Sequence, residues 1–369
     1  LQEMIRGTRQ QSNLIASQFE TALGLEVFRN DLGNAGYGLP EGFLHIDPTA
    51  GTVTSFSTYP LSCYSEPNGH GTNPAAISAF NDCPNPPRAF FHRNDVGSAN
   101  DYIENSDYLV VRSPAVGTNA ACGKWTYITS GATDYVHVWS DPSLDMTNGN
   151  RMIVVKARTT TTDVAQLVIN NDVSSKFSAR YNGSELISGE DAQPGFRPPN
   201  PPTGERNIAY GIEDDDDPAR PFNRADYYVR RTSWTNAGCA PGTGTLFKAV
   251  ANQGGDGFTV LPVMDCVANM QVVFRIDTNG DGVPDSTVND ISSLNAMEIK
   301  ERVEEIQVYI LAHEGAMDRT YTRAGTGVIL LGPSASLGRN VDVQSLAGAN
   351  WDHYRWKIYT LFVKPRGMY

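Results

Sequence analysis

The residues best suited to chemistry form an oxygen-rich segment that begins at residue 277. It reads D-T-N-G-D-G-V-P-D, so oxygen-bearing side chains alternate with other residues and glycine stands sixth. Calcium takes about six to eight oxygen ligands on a flexible loop, and this spacing supplies them from positions 1, 3, 5, 7 and 9. The segment therefore predicts a calcium site. The predicted ligands are Asp277, Asn279, Asp281, Val283 through its carbonyl, Asp285 and, further along, Asp290.

This segment departs from a helix-loop-helix calcium site in two respects. Position 12 is Val288, where such loops carry a bidentate glutamate, so Asp290, a water or another loop would complete the sphere. A strand-like run, QVVFRI, precedes it instead of a helix. The alternative is an Asp/Asn/Gly-rich hairpin turn without metal. The mutual repulsion of four closely spaced carboxylates favours the metal.

Five cysteines lie in loop-like, Gly/Pro/Asn-rich sequence, and no CxxC pair occurs. Such cysteines favour disulfides and an oxidising compartment. Cys239 and Cys266 would close a hairpin, which is worth about 3–4 kcal/mol from loop entropy. Cys63 and Cys83 are predicted to pair over a loop of similar length, which leaves Cys122. The alternative is Cys122 paired with Cys63 or Cys83.

The sequence shows no pattern of a catalytic protein. It contains no nucleophile elbow, zinc-protease helix or phosphate-binding loop, and its six histidines are scattered. The 369 residues carry 29 Lys+Arg and 41 Asp+Glu, a net charge of −12. An acidic chain without a basic cluster is poorly suited to nucleic acid or to an anionic membrane surface. We therefore expect a protein that is not an enzyme and binds no nucleic acid.

The elements that must position these residues are one helix and many strands. Apolar residues spaced by three or four predict a helix over residues 2–36, polar on most sides up to Ser12. The residues expected to pack this helix onto the body are Phe19, Ala22, Leu25, Phe28 and Leu32. Beyond it, short β-branched and aromatic runs alternate with turn residues. The predicted fold is α+β, with a long N-terminal helix (1–38) packed on antiparallel sheet in a β-rich domain (39–369), which includes a large insertion around 40–200.

A second helix is predicted over Ser293–Val303, with Ser292 or Ser293 as its N-cap. The predicted strands are Tyr108–Arg112, Tyr135–Val138, Arg151–Val155, Leu167–Val168, Ile208–Ile212, Tyr227–Arg231, Gly244–Val250, Asn269–Ile276, Ile306–Ala312 and His353–Val363.

Four segments resemble the PilW-type minor pilins, which are subunits of the type IV pilus. The first is FETALGLEVFRNDLGNAGYG (19–38), where a helix ends in a phrase typical of that family. The others are PFNRADYYV (221–229), CAPGTGTLFKA with MDCVANMQVVFRIDTNGDG (239–282), and HYRWKIYTLFVKPRG (353–367). They occur in the family's order, whereas the middle region (40–200) matches nothing in it.

The resemblance implies a structural role. Family members carry a short leader and an apolar N-terminal anchor of roughly 25 residues, and that anchor is absent from this sequence. A member primes pilus assembly in the inner membrane, facing the periplasm, and then sits at the tip of the extracellular filament on a Gram-negative cell surface. Its partners would be other minor pilins, the major pilin and a large tip adhesin. The alternatives are a pseudopilin of type II secretion and a secreted calcium-binding adhesin module.

Overall fold

The computed structural model describes most of the chain between residues 21 and 368. The described ranges are 21–46, 52–60, 63, 82–129, 136–158, 163–169, 177–183, 186–188, 191–192, 196, 207–214, 217–232, 238–254 and 257–368. Strands make up 40% of the structure and helices 15%. The molecule is therefore a β-rich body.

The described strands are β1 (Gly42–Ile46), β2 (Val53–Phe56), β3 (Phe90–Arg93), β4 (Tyr108–Arg112), β5 (Trp125–Ile128), β6 (Arg151–Lys156), β7 (Gln166–Ile169), β8 (Ser178–Tyr181), β9 (Leu186–Ser188), β10 (Asp191–Ala192), β11 (Asn207–Glu213), β12 (Arg224–Arg230), β13 (Gly244–Ala251), β14 (Phe258–Ile276), β15 (Ser286–Val288), β16 (Val303–Glu314), β17 (Val328–Leu331), β18 (Arg339–Asp342) and β19 (Arg355–Val363). The described helices are α1 (21–33), α2 (Ala296–Arg302) and α3 (Val343–Ala347).

Two large sheets contain nearly all of these strands. The first has the order β10-β9-β8-β6-β7-β1-β2, and β11 pairs both β6 and β5. The second has the order β19-β16-β14-β13-β12-β4-β3, with β15 on β14, and β17 and β18 form a separate hairpin. Among the described pairs, β1 with β7 is parallel and the others are antiparallel. The stretch 40–200 supplies strands to both sheets.

The main apolar core contains side chains from both sheets. Alternation along β4 shows how the strands divide their residues between the two faces of a sheet. Leu109 and Val111 belong to the main core, whereas Tyr108 and Val110 belong to a smaller cluster on the opposite face. All four are fully buried, so apolar runs of this kind mark strands covered on both faces.

The predicted fold class is wrong. Within the described residues the N-terminal helix is short, covering only residues 21–33, the other helices are shorter still, and β-structure dominates. The described part of α1 ends at residue 33, and the predicted residues 2–20 lie outside the described residues. A three-to-four-residue apolar spacing can be satisfied by a few buried turns, so this pattern does not determine the length of a helix.

The predicted strands correspond well to the structure, with one exception. Tyr108–Arg112 is β4, and the other predicted strands overlap observed ones, although Tyr227–Arg231 runs one residue past β12 and His353–Val363 starts two residues before β19. Of the predicted strand Tyr135–Val138, Tyr135 lies outside the described residues, and the rest is not a strand, because Val136 makes only an isolated bridge to Ile128. The second helix begins later than predicted, because Asn295 rather than a serine caps it. The Asn295 side chain accepts from the Glu298 N–H at 2.9 Å, and the Glu298 carboxylate accepts from the Asn295 N–H at 3.0 Å.

Candidate functional site

The predicted calcium segment is the hairpin turn that joins β14 to β15. Ile276 pairs with Ser286, so residues 277–285 form the turn between the two strands. The Asp285 N–H closes the hairpin by donating to the Ile276 carbonyl at 3.0 Å, and the Asp277 N–H donates to the Arg302 carbonyl at 2.7 Å. The second bond ties the turn to the end of α2. The position of the turn is thus set by strand pairing as well as by its own sequence.

Asp277 organises the inside of the turn. Its carboxylate accepts backbone N–H groups from Asn279 at 3.0 Å, Gly280 at 2.7 Å and Gly282 at 2.6 Å. Burial opposes ionisation of Asp277, but these donors outweigh it and hold the pKa of its carboxyl below the usual value. Gly280 and Gly282 have φ of 80° and 79°, where a side chain would be strained. The turn therefore holds an ionised carboxylate at its centre.

The remaining predicted ligands make local bonds. Asn279 Oδ1 accepts from the Asp281 N–H at 2.9 Å, and Asp281 Oδ1 accepts from the Val283 N–H at 2.8 Å. The Asp285 carboxylate accepts from the Thr278 hydroxyl at 2.8 Å. Such side-chain-to-backbone turns occur in loops with and without metal. Calcium binding accordingly stays a prediction.

Asp290 is not brought to this turn. The strand pairing runs away from the turn, from Ile276 with Ser286 to Phe274 with Val288, and Asp290 follows two residues after that last pair. Its Oδ1 instead accepts from the Ser292 N–H at 2.8 Å. Asp290 is five residues beyond the end of the turn and past the end of β15, so its position in the sequence does not by itself bring it to the turn.

The carboxylates of the turn do not converge in this structure. Among the described residues, the one group of three metal-ligating atoms within 4.8 Å of each other is Cys239, Cys266 and His313. Cys239 and Cys266 are joined in a disulfide, so neither sulfur is a thiolate ligand. A cation at the turn would have to draw the carboxylates together.

Both predicted disulfides are present: Cys63 with Cys83 and Cys239 with Cys266. Cys122 is the free cysteine. Its sulfur lies 3.2 Å from Asn119 Oδ1 and 3.0 Å from Asn223 Nδ2. Burial raises the pKa of Cys122 to about 12, so the thiol is protonated and unreactive at neutral pH.

His313 lies beside the Cys239–Cys266 disulfide and is buried. Its Nε2 accepts from the Ala240 N–H at 2.8 Å, so its Nδ1 carries the proton and donates to the Gly315 carbonyl at 3.0 Å. Burial lowers the pKa of His313 to about 4, against an opposing bond to Gly315. The neutral His313 ring of β16 is therefore hydrogen-bonded to the backbone of the disulfide loop at Ala240.

Helix α1 is attached to the second sheet by its inner face. Phe28 stacks on Tyr227 of β12 with ring centroids 3.8 Å apart. Asp31 binds Lys248 Nζ of β13 at 2.6 Å and accepts from the Tyr227 hydroxyl at 2.6 Å. Nearer the start of α1, a Cβ on Gly24 would overlap the Val263 carbonyl of β14. The helix thus meets β14, β13 and β12 in turn.

The residues predicted to pack this helix have different environments. Phe28 and Leu32 are fully buried in the main core, and Leu25 packs against it while partly exposed. Ala22 is exposed, and Phe19 lies outside the described residues. Asp31 and Lys248 were not predicted as packing residues, because they are distant in sequence and no local pattern relates them.

A surface cluster of aromatic residues lies within the 40–200 insertion, and its individual members were not predicted. Trp125 and Tyr127 alternate along β5, and His137 and Trp139 alternate on the segment beside it. The signal in the sequence was two alternating pairs, W-T-Y and H-V-W, separated by turn residues. Only tertiary pairing shows that they meet, with the Trp125 and Trp139 ring centroids 4.9 Å apart.

Comparison with family models, curated proteins and solved structures finds no match to this chain. No helix among the described residues is long and apolar enough to cross a membrane.

Proposed function

We propose that this protein is a non-catalytic structural subunit, a minor pilin of a type IV pilus, which primes filament assembly and sits at the filament tip. The observation that carries the proposal is the joint between α1 and the second sheet. One face of α1 makes buried contacts with the second sheet, and the opposite face is exposed to solvent.

The inner face of α1 forms a rigid joint. The Phe28–Tyr227 stack and the Asp31–Lys248 ion pair are buried and come from separate turns of the helix. Gly24 lets the helix backbone approach β14 closely. Because α1 contacts β14, β13 and β12, it can neither tilt nor slide easily on the sheet. A subunit that transmits position from a filament to its globular body needs such a joint.

The outer face of α1 offers a surface for neighbours. Leu23 is 60% exposed and Val27 is 41% exposed, and they are one helical turn apart. Apolar residues at this spacing form a short stripe onto which a second helix packs. The resemblance of residues 19–38 to minor pilins and the two disulfides, which suit a periplasmic or extracellular protein, support the same role.

Photo-crosslinking in the cell that produces the protein tests the proposal. A photoreactive residue at Leu23 or Val27 should capture other minor pilins or the major pilin. The matched control is Val328, which is 48% exposed on the β17–β18 hairpin and should not capture the same subunits. Equal capture at all three positions, or none at the helix, would contradict the proposal.

Crosslinking, together with the native N-terminal sequence, separates the alternatives. A pseudopilin of type II secretion would crosslink through the same two helix positions, but to secretion subunits. For a secreted adhesin, the native N-terminus would follow an ordinary signal peptide and the helix positions would capture no pilin. A tip location further predicts contact with a large adhesin and recovery of the protein in sheared filaments.

A further inference from the structure

The aromatic cluster formed by β5 and the segment beside it lies at the surface, with Trp125 exposed and the other three rings half-buried. We define the aromatic platform as Trp125, Tyr127, His137 and Trp139. Their neighbours Thr126 and Ile128 are buried on the opposite side of β5, so the alternation of a strand places the rings on one face. Trp125 is 40% exposed despite its size. Large aromatic side chains left in solvent are a frequent feature of binding surfaces.

Hydrogen bonds fix the platform in place. The Trp139 indole N–H donates to the Trp125 carbonyl at 2.9 Å, and the Trp139 backbone N–H donates to Asp145 Oδ1 at 2.7 Å. The His137 N–H donates to the Tyr127 carbonyl at 3.0 Å, and the Thr126 hydroxyl donates to the His137 carbonyl at 2.6 Å. A ligand that binds here would pay little entropy for ordering the rings.

The rings contact each other rather than enclosing a space. The Tyr127 and His137 rings stack at 4.2 Å, and the Trp139 centroid lies 4.7 Å from His137 and 6.0 Å from Tyr127. These separations correspond to direct ring contact. An ammonium group therefore has no room between the rings, which argues against an aromatic cage. The platform can instead accept a flat ligand on its outer surface.

The negative charges near the platform indicate which class of ligand it can bind. The Asp145 carboxylate binds the Trp139 backbone and borders the platform, and Asp141 stands two residues after Trp139. The backbone N–H of Ser143 is the main cause that holds the pKa of Asp141 below its usual value. With the chain's net charge of −12, these groups disfavour nucleic-acid phosphates and anionic glycans. They suit the hydroxyl groups of a neutral sugar, since a carboxylate accepts hydrogen bonds from them.

We propose that the aromatic platform binds neutral, β-linked pyranose oligosaccharides. In such sugars the equatorial hydroxyl groups leave the ring faces covered by C–H groups, which stack on the electron-rich face of an indole or phenol. The exposed Trp125 ring supplies the stacking surface, and the bordering carboxylates orient the hydroxyl groups. This inference does not depend on the pilin proposal.

Titration with defined sugars tests the platform. Cellotetraose and tetra-N-acetylchitotetraose are added to the protein, and binding is followed by tryptophan fluorescence and calorimetry. We expect saturable binding that Trp125→Ala weakens by at least about tenfold and Trp125→Phe weakens less, because the smaller ring still stacks. The matched control is Phe362→Ala, an aromatic residue that is 49% exposed on β19, and it should bind like the wild type.

Three results would overturn this proposal. The first is no binding of either tetrasaccharide at millimolar concentration by the folded wild type. The second is equal affinity in Trp125→Ala, with circular dichroism showing that this variant is folded. The third is self-association of the wild type that Trp125→Ala abolishes without any sugar binding, which would make the platform a protein interface.

Discussion

The Asp31 carboxylate of α1 and the Lys248 ammonium of β13 form an ion pair with a separation of 2.6 Å. Their side chains are only 4% and 7% exposed, respectively, and the Tyr227 hydroxyl donates to the same carboxylate oxygen at 2.6 Å. Burial raises the pKa of Asp31, although Lys248 and Tyr227 oppose that shift. A charge held in the core at this position binds the helix to one place on the sheet, since sliding would separate it from its partners.

Lys248→Met should destabilise the protein strongly. It leaves Asp31 buried without its counter-charge, which costs about 3–5 kcal/mol. The double variant Asp31→Asn with Lys248→Met removes both charges, so it should lose less stability than Lys248→Met alone. Chemical denaturation measures both. The control is Glu26→Gln on the exposed side of α1, where the pair with Arg29 is solvated and its loss should cost less than about 1 kcal/mol. Equal losses in all three variants would refute this role of the buried pair.

Calcium should stabilise the wild type through the β14–β15 turn. Extracellular modules bind calcium with Kd of about 0.1–1 mM, so 10 mM calcium would add about 1.4–2.7 kcal/mol of stability. Asp281→Ala should abolish that increment and change stability little in chelator, because Asp281 is exposed. Asp277→Ala should also be less stable in chelator, because three backbone N–H groups lose their acceptor.

Melting curves in calcium and in chelator provide the measurement. The control is Asp290→Ala, which the strand register places away from the turn and which should keep the full calcium increment. Identical curves for the wild type in both conditions would show that the turn needs no metal. If Asp290→Ala lost the calcium-dependent gain in stability, the turn would instead rearrange around the ion so that Asp290 reaches it.

Cys122 should resist alkylation in the folded protein. Its side chain is partly buried and its pKa is raised to about 12, whereas an ordinary cysteine titrates near 8.5. At pH 8 we expect iodoacetamide to modify native Cys122 at least about a hundredfold more slowly than the unfolded chain. Ser143→Cys, at an exposed position, gives the matched reactive control. Rapid modification of native Cys122 would contradict the buried environment.

Acid should destabilise the protein through His313. Its folded pKa of about 4 lies below the ordinary histidine pKa of about 6.5, so between these values the unfolded chain binds the proton and the folded chain does not. Stability should therefore rise with pH across this window, and up to about 3 kcal/mol should be lost as pH falls through it.

In the His313→Gln variant, the slope of the unfolding free energy against pH should fall by the amount that corresponds to about one bound proton. The control is Tyr354→Phe, which keeps a ring beside His313 and leaves the imidazole unchanged, so its slope should match the wild type. Urea denaturation at a series of pH values measures the slope directly. Parallel slopes for His313→Gln and the wild type would exclude His313 as the source.

Local pattern was sufficient for much of the β-structure. Alternating or continuous β-branched and aromatic runs identified β4, β6, β13 and β16, because each such run must bury apolar side chains on one or both faces. The disulfide pairs also followed from local reasoning, since each closes a loop of 20 or 27 residues with few alternatives. The calcium-like turn was recognisable because its carboxylates and glycines lie within one short segment.

Other features depended on residues distant in sequence. Asp31 and Lys248 are 217 positions apart, so no local pattern relates them. The fold class was wrong because residues 2–36 indicated the face of a helix but not its extent. Asp290 looked like a ligand by spacing, and strand pairing alone showed that it lies elsewhere.

The sequence by itself determined which segments are apolar, where turns are favoured and which cysteines can pair, because these depend on nearby residues. The tertiary structure alone decided that Trp125 and Trp139 meet on one surface and that α1 is anchored across β14, β13 and β12. The physical reason is that strand register and sheet packing bring side chains together through long-range hydrogen bonding and burial. Those interactions are properties of the whole chain rather than of any segment within it.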